Sequence, residues 1–481
     1  MRMKKMLAML MVIAMSATTM SGCVGHRDKG GITTVSWYLA GVKRDASYDA
    51  VFDKVNEIMG ERYGINLKIV LVDESNFSQK IQTMNATRDE YDLVFTSNWR
   101  NSFYTNVANN SLYDLTELLP EYAPTLYESL SQAELDAVTM DKKIYAVPNW
   151  QSRSRITGVY IPREQLEKTS YTMDMINSIE DLEGFYEEFY KIEPESNRAT
   201  GTWQTYMTTK GIINVVQEGL PGAIFYNKTG KPQIINQYET EEFEDFAKLV
   251  RSWVEKGYYP EVRATQENEK ASKLDSPGGW ENWNPGSGKQ VSLRTGHEYL
   301  DKPITQGIIS NDTLLSTLTG VSANSKHPVE AVKVLEIMHT DKEIYNMLSF
   351  GLEGVNYDKV GENIIRVRED NTYSIHNWAI GSVANSFILE GNDENLWEIT
   401  KERDKNALVS PLIGFNPDTS KINEELGNCQ TVVNEYISTI QYGYEDPMVT
   451  VPKFREELKA AGADVIIEEI QKQIDEWWEK N

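Results

Sequence analysis

Eleven tryptophans and a scatter of arginines are the residues of this 481-residue sequence with the most binding chemistry to offer. An indole presents a flat apolar face and one N–H donor, and a guanidinium presents five donors in a rigid fork. Together they can hold a sugar ring, whose C–H faces stack on aromatics and whose hydroxyls need polar partners, or pair a carboxylate bidentately. Trp37, Trp99, Trp150, Trp280, Trp283 and Trp378, with Arg100 and Arg153, fall near predicted turns or strand ends and are the candidate ligand-binding residues. Ligand crevices in α/β sheets form at such carboxyl ends. Arg155 is a further candidate for holding a carboxylate. Groups for catalysis are harder to find. There is no GxGxxG, GxxxxGK[ST], HExxH or GxSxG, and the five histidines show no ligand spacing, so a zinc site is not expected. Carboxylates such as Glu187, Glu188, Glu241, Glu242, Glu468 and Glu469 fit solvated helix faces, although counting alone does not remove a glycosidase pair. Asp418 to Glu425 lacks the glycine and the oxygen spacing of a calcium loop. The expectation is a protein without catalytic residues, metal or cofactor.

These residues must be positioned by an alternation of strands and helices. Ile32 to Leu39 alternates and is β-rich, and Ser47 to Met59 places Tyr48, Val51, Phe52, Val55 and Ile58 at helical spacing. Asn66 to Val72 and Tyr91 to Thr96 read as strands around a helix over Phe77 to Met84. This βαβ rhythm predicts an α/β fold with a mostly parallel sheet covered on both faces. From Lys142 to Lys168 the pattern changes. A short strand, Ile144 to Val147, is stopped by Pro148, which lacks the donor a central strand needs; polar and basic residues then lead to a second strand, Ile156 to Ile161, and to Pro162 opening a helix. That stretch reads as a crossing between two lobes. Ile179 to Tyr190 and Glu241 to Lys256 are amphipathic helices, whereas Asn268 to Lys289, rich in Gly, Pro, Ser and Asn around Trp280 and Trp283, reads as loop. Ala463 to Glu479 repeats apolar residues at helical spacing and should dock on the second lobe.

The first residues read as a processing signal. Arg2, Lys4 and Lys5 form a positive start, Met6 to Ala14 is apolar but too short to span as a mature helix, and Met20-Ser21-Gly22-Cys23 forms a lipobox. Cys23 is thereby the expected lipidation site, and Val24 to Gly31 a flexible tether. The remaining cysteine, Cys429, has no partner for a disulfide in the mature chain and no neighbouring histidine to activate it. Net charge of −24 and a pI near 4.8 exclude nucleic acid as a partner, because phosphate binding needs basic surface, and disfavour docking on anionic lipid.

Lys142, Lys143 and Ile144 to Pro148, the Gly351-Leu352-Glu353-Gly354 segment with Tyr357, and the lipobox occur in an order that resembles the extracellular solute-binding lipoproteins of bacterial ABC importers. Trp378 to Gly381 is similar to the WxxGN of a sugar-type branch carrying a C-terminal domain of unassigned function, with Ser382 in place of the Asn. The resemblance implies a two-lobed, type II periplasmic-binding-protein-like fold with hinged lobes of mixed, mostly parallel sheets flanked by helices. It implies residues 1–22 as signal peptide, 23–31 as tether, 32–148 and 304–349 as first lobe, and 149–303 and 350–481 as second lobe. The implied function is capture of a solute, with oligosaccharide favoured, in the interlobe cleft and its delivery to permease subunits by a monomer anchored at the extracytoplasmic face of the cell membrane. A secreted polysaccharide hydrolase and a peptide-binding or signalling receptor on the same scaffold are the alternatives.

Overall fold

The computed structural model describes residues 31–43, 45–199, 201–260 and 276–480. The expected signal and Cys23 lie outside the described residues. Strands β1 (Thr33–Ala40), β2 (Ile65–Val72) and β3 (Leu93–Thr96) open the first lobe, with β1 parallel to both neighbours. Along β1 the inward set is Val35, Trp37 and Leu39, as period-two alternation requires. Helix α1 (Ser47–Tyr63) buries Tyr48, Val51, Val55 and Met59 at spacings of three and four, and Gly64 ends it at φ 67°. Helix α2 (Phe77–Thr87) buries Phe77, Ile81 and Met84. The fourth strand, β4, is only Val147–Pro148 and lies at the edge of the sheet, where proline's missing donor is tolerated.

The chain then crosses to the second lobe. Strand β5 (Thr157–Pro162), buried along its whole length, is the centre of an antiparallel three-stranded sheet with β6 (Gly279–Asn282) and β7 (Tyr299–Pro303) on its flanks. The expectation of loop across Asn268 to Lys289 is thus corrected for its described part. Gly279 to Asn282 is a strand, recruited by pairing with Thr157 to Tyr160, a long-range contact that outweighs weak local propensity. Helices α3 (Leu182–Ile192) and α4 (Glu241–Glu255) lay aromatic faces on this lobe's core, notably Phe185, Tyr186, Phe189, Phe243, Phe246 and Trp253.

The return is made by β8 (Leu318–Val321), which inserts antiparallel between β3 and β4, so the first sheet runs β2-β1-β3-β8-β4. Helices α5 (Pro328–Thr340) and α6 (Lys342–Phe350) complete that core with Ala331, Val334, Leu335, Ile344 and Leu348. A small sheet of β9 (Tyr357–Lys359), β10 (Ile364–Val367) and β11 (Ile388–Leu389) follows, then α7 (Leu396–Lys405). Helices α8 (Asn423–Gln441), α9 (Pro447–Ala460) and α10 (Ala463–Trp478) close the second core, α10 through Ile466, Ile470 and Ile474. Two large hydrophobic cores, with a small third cluster of Ile156, Tyr160 and Trp283, make this a two-lobed α/β protein with a mixed sheet in the first lobe. One boundary is corrected. Tyr373, Ala379, Ile380 and Val383 are buried in the first core, because Tyr373 packs on Tyr48 at 4.7 Å, so the chain after residue 350 does not pass at once to the second lobe.

Candidate functional site

At the carboxyl end of β3 the chain leaves the sheet through Ser97, Asn98, Trp99 and Arg100. The Ser97 hydroxyl accepts from the Arg100 amide at 2.8 Å and donates to the Arg100 carbonyl at 2.9 Å, tying the turn. Trp99 projects from it, 43% exposed, with its indole N–H donating to the Ser316 carbonyl at 2.8 Å. An aromatic exposed to this extent at a sheet's carboxyl edge, yet fixed in orientation, is a ready stacking surface. The segment after β10 brings Trp378 beside it. The two ring centroids lie 6.3 Å apart at 45°, and Phe95 supports both, at 6.0 Å from Trp99 and 5.7 Å from Trp378. The Arg100 guanidinium lies over the Trp99 ring at 4.6 Å and pairs with Glu74 at 3.1 Å. His376 stacks on Trp378 at 5.0 Å and reaches Glu74 Oε1 at 2.9 Å. Burial alone would raise the Glu74 carboxyl, but hydrogen bonds from His376 and Arg100 outweigh it and hold its pKa below the usual carboxylate range.

A polar floor adjoins this aromatic wall. The Asn98 side-chain amide donates to Asp312, both to the carboxylate and, at 3.0 Å, to the carbonyl. Asp312 in turn pairs with Arg155 at 2.7 Å, with both side chains largely buried. Desolvation would lower the Arg155 pKa, but the Asp312 and Glu218 carboxylates raise it, so the guanidinium stays charged. Glu218, from the second lobe, is pushed upward chiefly by desolvation, with Arg155 opposing and Asp312 reinforcing. The Tyr104 hydroxyl is also raised, first by burial and then by Asp312. First lobe, crossing and second lobe therefore each contribute a polar group, and such convergence beside an aromatic surface suits a polyhydroxyl ligand.

The crossing is braced from behind. Asp404 of α7 accepts from the amides of Arg153 at 2.8 Å and Ser154 at 2.9 Å, and from the hydroxyls of Ser152 at 2.9 Å and Ser154 at 2.7 Å. Four donors on one buried carboxylate fix the turn that joins the lobes.

Of the residues expected to meet ligand, Trp99, Arg100 and Trp378 are brought together, with Arg155 in the adjoining floor, and the others are not. Trp37 is fully buried mid-strand in register with Ile69 and Leu93, its indole N–H enclosed without a hydrogen-bond partner among the described residues. Trp280 is 2% exposed in the second core, held by Trp253, Tyr259 and the Thr202 carbonyl. Trp283 is packed against Gly158, with its N–H on Asp301 at 2.5 Å and Arg403 across its ring at 4.3 Å. Trp150 is nearly enclosed beside the crossing, where its carbonyl accepts from the Val383 amide. Arg153 turns away to Glu134, 2.9 Å distant, as a charge pair whose N–H is not aimed along the contact. These indoles were expected at strand ends because they border turns; burial of a large apolar surface decided their positions instead. Tyr104, Asp312 and Glu218 escaped sequence reasoning, since an aspartate or glutamate in a polar stretch carries no sign of its distant partner.

Comparison with known proteins extends this picture. Residues 411–479 match a domain of unknown function, DUF3502. Over 462 residues the chain is 26% identical to a carbohydrate ABC transporter substrate-binding protein of Streptococcus pneumoniae serotype 4, covering 94% of this chain and 92% of the relative. The crystal structure of the N-glycan transport solute binding protein NgtS from Streptococcus pneumoniae superposes with a TM-score of 0.80 at 25% identity, covering 92% of this chain and 98% of that one. Its complex with Man5GlcNAc gives a TM-score of 0.81 at 25% identity, covering 93% and 99%. An extracellular solute-binding protein from Bifidobacterium longum subsp. infantis shares the fold, with a TM-score of 0.60 at 14% identity over 94% of this chain and 99% of that one. The chain has the two-lobed type II solute-binding-protein fold.

Proposed function

We infer that this chain is an extracytoplasmic solute-binding protein of a carbohydrate ABC importer, one that captures an oligosaccharide between its lobes and delivers it for import. The observation carrying this reading is the pairing of exposed Trp99 with half-buried Trp378 beside the floor of Asn98, Arg155 and Asp312 at the junction of a two-lobed fold. A sugar ring would stack on the indoles while its hydroxyls engage Asn98, Tyr104, Asp312 and Glu218. Its whole-length relatives are solute-binding proteins and not enzymes by description. Because NgtS holds Man5GlcNAc, a mannose-containing N-glycan fragment is the ligand we propose first.

Closure of the lobes about the Asp404-braced crossing would bring Glu218 toward the first-lobe wall, and a ligand touching both lobes favours the closed state by its differential affinity. Among the described residues, the lobe boundaries that fit the packing are 32–148 with 311–389 for the first lobe and 157–260, 276–303 and 410–480 for the second, the remaining described segments forming the crossings. Permease subunits as partners, action as a monomer and lipid anchoring at Cys23 complete the proposal. No helix among the described residues is long and apolar enough to cross a membrane. The decisive experiment is calorimetric titration of the chain with Man5GlcNAc and with neutral oligosaccharides of other linkage, alongside Trp99→Ala. Saturable binding that falls in the variant supports the reading. Its absence across the whole panel refutes it.

A further inference from the structure

A second cavity, of about 490 Å³, opens in the region that leads from the first lobe toward α7, lined by one face of α6 from Lys342 to Met347, the turn before β9, the segment leading into β11 and the first turn of α7. It shares no lining residue with Trp99, Arg100, Trp378 or the polar floor. Its volume lies within the range of small-ligand sites. One wall is aromatic. Phe387 lies 5.7 Å from Tyr357 and 6.3 Å from Phe350, and Trp397 is held by its indole N–H on the Ser386 carbonyl at 2.9 Å.

The facing groups have hydrogen-bonding capacity to spare. The Tyr357 hydroxyl and the Asn363 amide make no hydrogen bond among the described residues, and Glu394 and Glu398 form no ion pair there. The Tyr357 ring is otherwise buried. Burial, with Glu353 adding to it, pushes its hydroxyl up to about 12, so it stays protonated and able to donate. By contrast, Asn346 is fully committed, its amide donating to the Lys342 and Asn385 carbonyls and its oxygen accepting from the Phe387 amide, which fixes the floor beneath Phe387. Lys359 is paired with Glu353 at 3.2 Å, and the unpaired carboxylates at the rim oppose an anionic ligand. Phe387 and Trp397 are half-buried, with the Lys359 ammonium 5.4 Å from the Phe387 ring centroid, and these partly accessible rings, with acceptors in excess and free neutral donors, match a neutral polyhydroxyl ring, whose hydroxyls both donate and accept.

We propose that this cavity is a second, weaker saccharide-binding site, built on Phe387 and Tyr357 and separate from the interlobe site. It rests on the oligosaccharide-binding reading and would engage either a second ligand or a distant branch of a large one.

The test is titration of the full chain with Man5GlcNAc to millimolar concentration, by calorimetry and by saturation-transfer NMR, comparing wild type, Trp99→Ala, Phe387→Ala and Tyr357→Phe. Two classes of site are expected, the weaker reduced about five-fold or more by Phe387→Ala and measurably by Tyr357→Phe, the stronger reduced only by Trp99→Ala. A single site that Trp99→Ala weakens and Phe387→Ala leaves unchanged would overturn the cavity proposal while leaving the interlobe reading intact. Binding that survives Trp99→Ala but disappears in Phe387→Ala would do the reverse. No binding at either site would refute both. Should Phe387→Ala melt early, Phe387→Leu, which keeps apolar volume without a ring, is scored in its place by the same criteria.

Discussion

Trp99 and Trp378 enter the first lobe from distant parts of the chain, and their rings meet 6.3 Å apart over the shared support of Phe95. Neither ring completes the surface alone. Trp99 follows β3 directly, whereas Trp378 arrives only after the chain has visited the second lobe and returned, so the pair exists only in the finished fold.

Replacing either member should therefore cost affinity and little stability. Stacking of one ring contributes on the order of 1 kcal/mol beyond area burial, so Trp99→Ala and Trp378→Ala should each weaken Man5GlcNAc binding about five-fold or more, read by calorimetry. Trp37→Ala and Trp280→Ala should instead lose about 3 to 5 kcal/mol of stability, read by denaturant melts, because each leaves a core cavity. Equal affinity in wild type and both platform variants would remove the aromatic wall from the mechanism.

Arg155→Ala should be among the more destabilising changes at the junction. It strands the buried Asp312 carboxylate, and breaking such a pair from one side costs about 3 to 5 kcal/mol. Asp312→Asn made together with Arg155→Met should recover much of the loss, since the uncompensated charge is then gone. A double variant no more stable than Arg155→Ala would count against this account.

Asp404→Asn removes the charge that gathers the Arg153 and Ser154 amides and two serine hydroxyls. Hydrogen bonds to a charged group contribute about 1.5 to 3 kcal/mol each, though neighbouring ones are not additive, so a loss of about 2 to 4 kcal/mol is expected. The crossing should also loosen. Small-angle scattering of ligand-free Asp404→Asn should show a wider distribution of dimensions than wild type, and an unchanged profile would deny Asp404 a part in setting the lobe angle.

His339 gives a pH dependence with a definite sign. Burial lowers its pKa from 6.5 to about 4, and its Nε2 is enclosed without a partner among the described residues. The unfolded chain therefore takes up a proton near pH 6.5 that the folded chain refuses until about 4, so stability falls as pH drops through that window. The contribution is up to about 3 kcal/mol, from roughly 1.4 kcal/mol per unit. His339→Leu should flatten the slope of melting temperature between pH 6.5 and 4; an identical slope would show that carboxylates alone account for acid sensitivity.

The strand and helix rhythm of the first lobe was legible because each element carries its own period, as in the inward Val35, Trp37 and Leu39 of β1. That same alternation could have told that Trp37 faces the core. Its place near a strand end suggested a cleft, but two neighbours of the same parity already pointed inward. Trp99 and Arg100 were legible because a turn straight after a buried strand has one exit, the carboxyl edge. Arg155 was legible only as a holder of some carboxylate, and its partners Asp312 and Glu218 were not, since they lie in segments with no periodicity and meet it only through tertiary packing. Gly279 to Asn282 likewise has strand character only through its partner β5.

The insertion of β8 between β3 and β4 bears on how the molecule comes into being. Until Leu318–Val321 is available, β3 has lost one neighbour and β4 has none, so a chain halted before that point would expose unpaired strand edges, a template for aggregation. The second core is equally unfinished, because α8, α9 and α10 come last. The first lobe therefore waits for a strand that follows most of the second lobe, the second lobe waits for the last three helices, and the long sequence separation of these contacts makes folding slow. A chain ending before α8 should thus hold a complete first sheet beside an open second core and accumulate as aggregate through that exposed apolar surface, whereas one ending before β8 leaves both lobes incomplete.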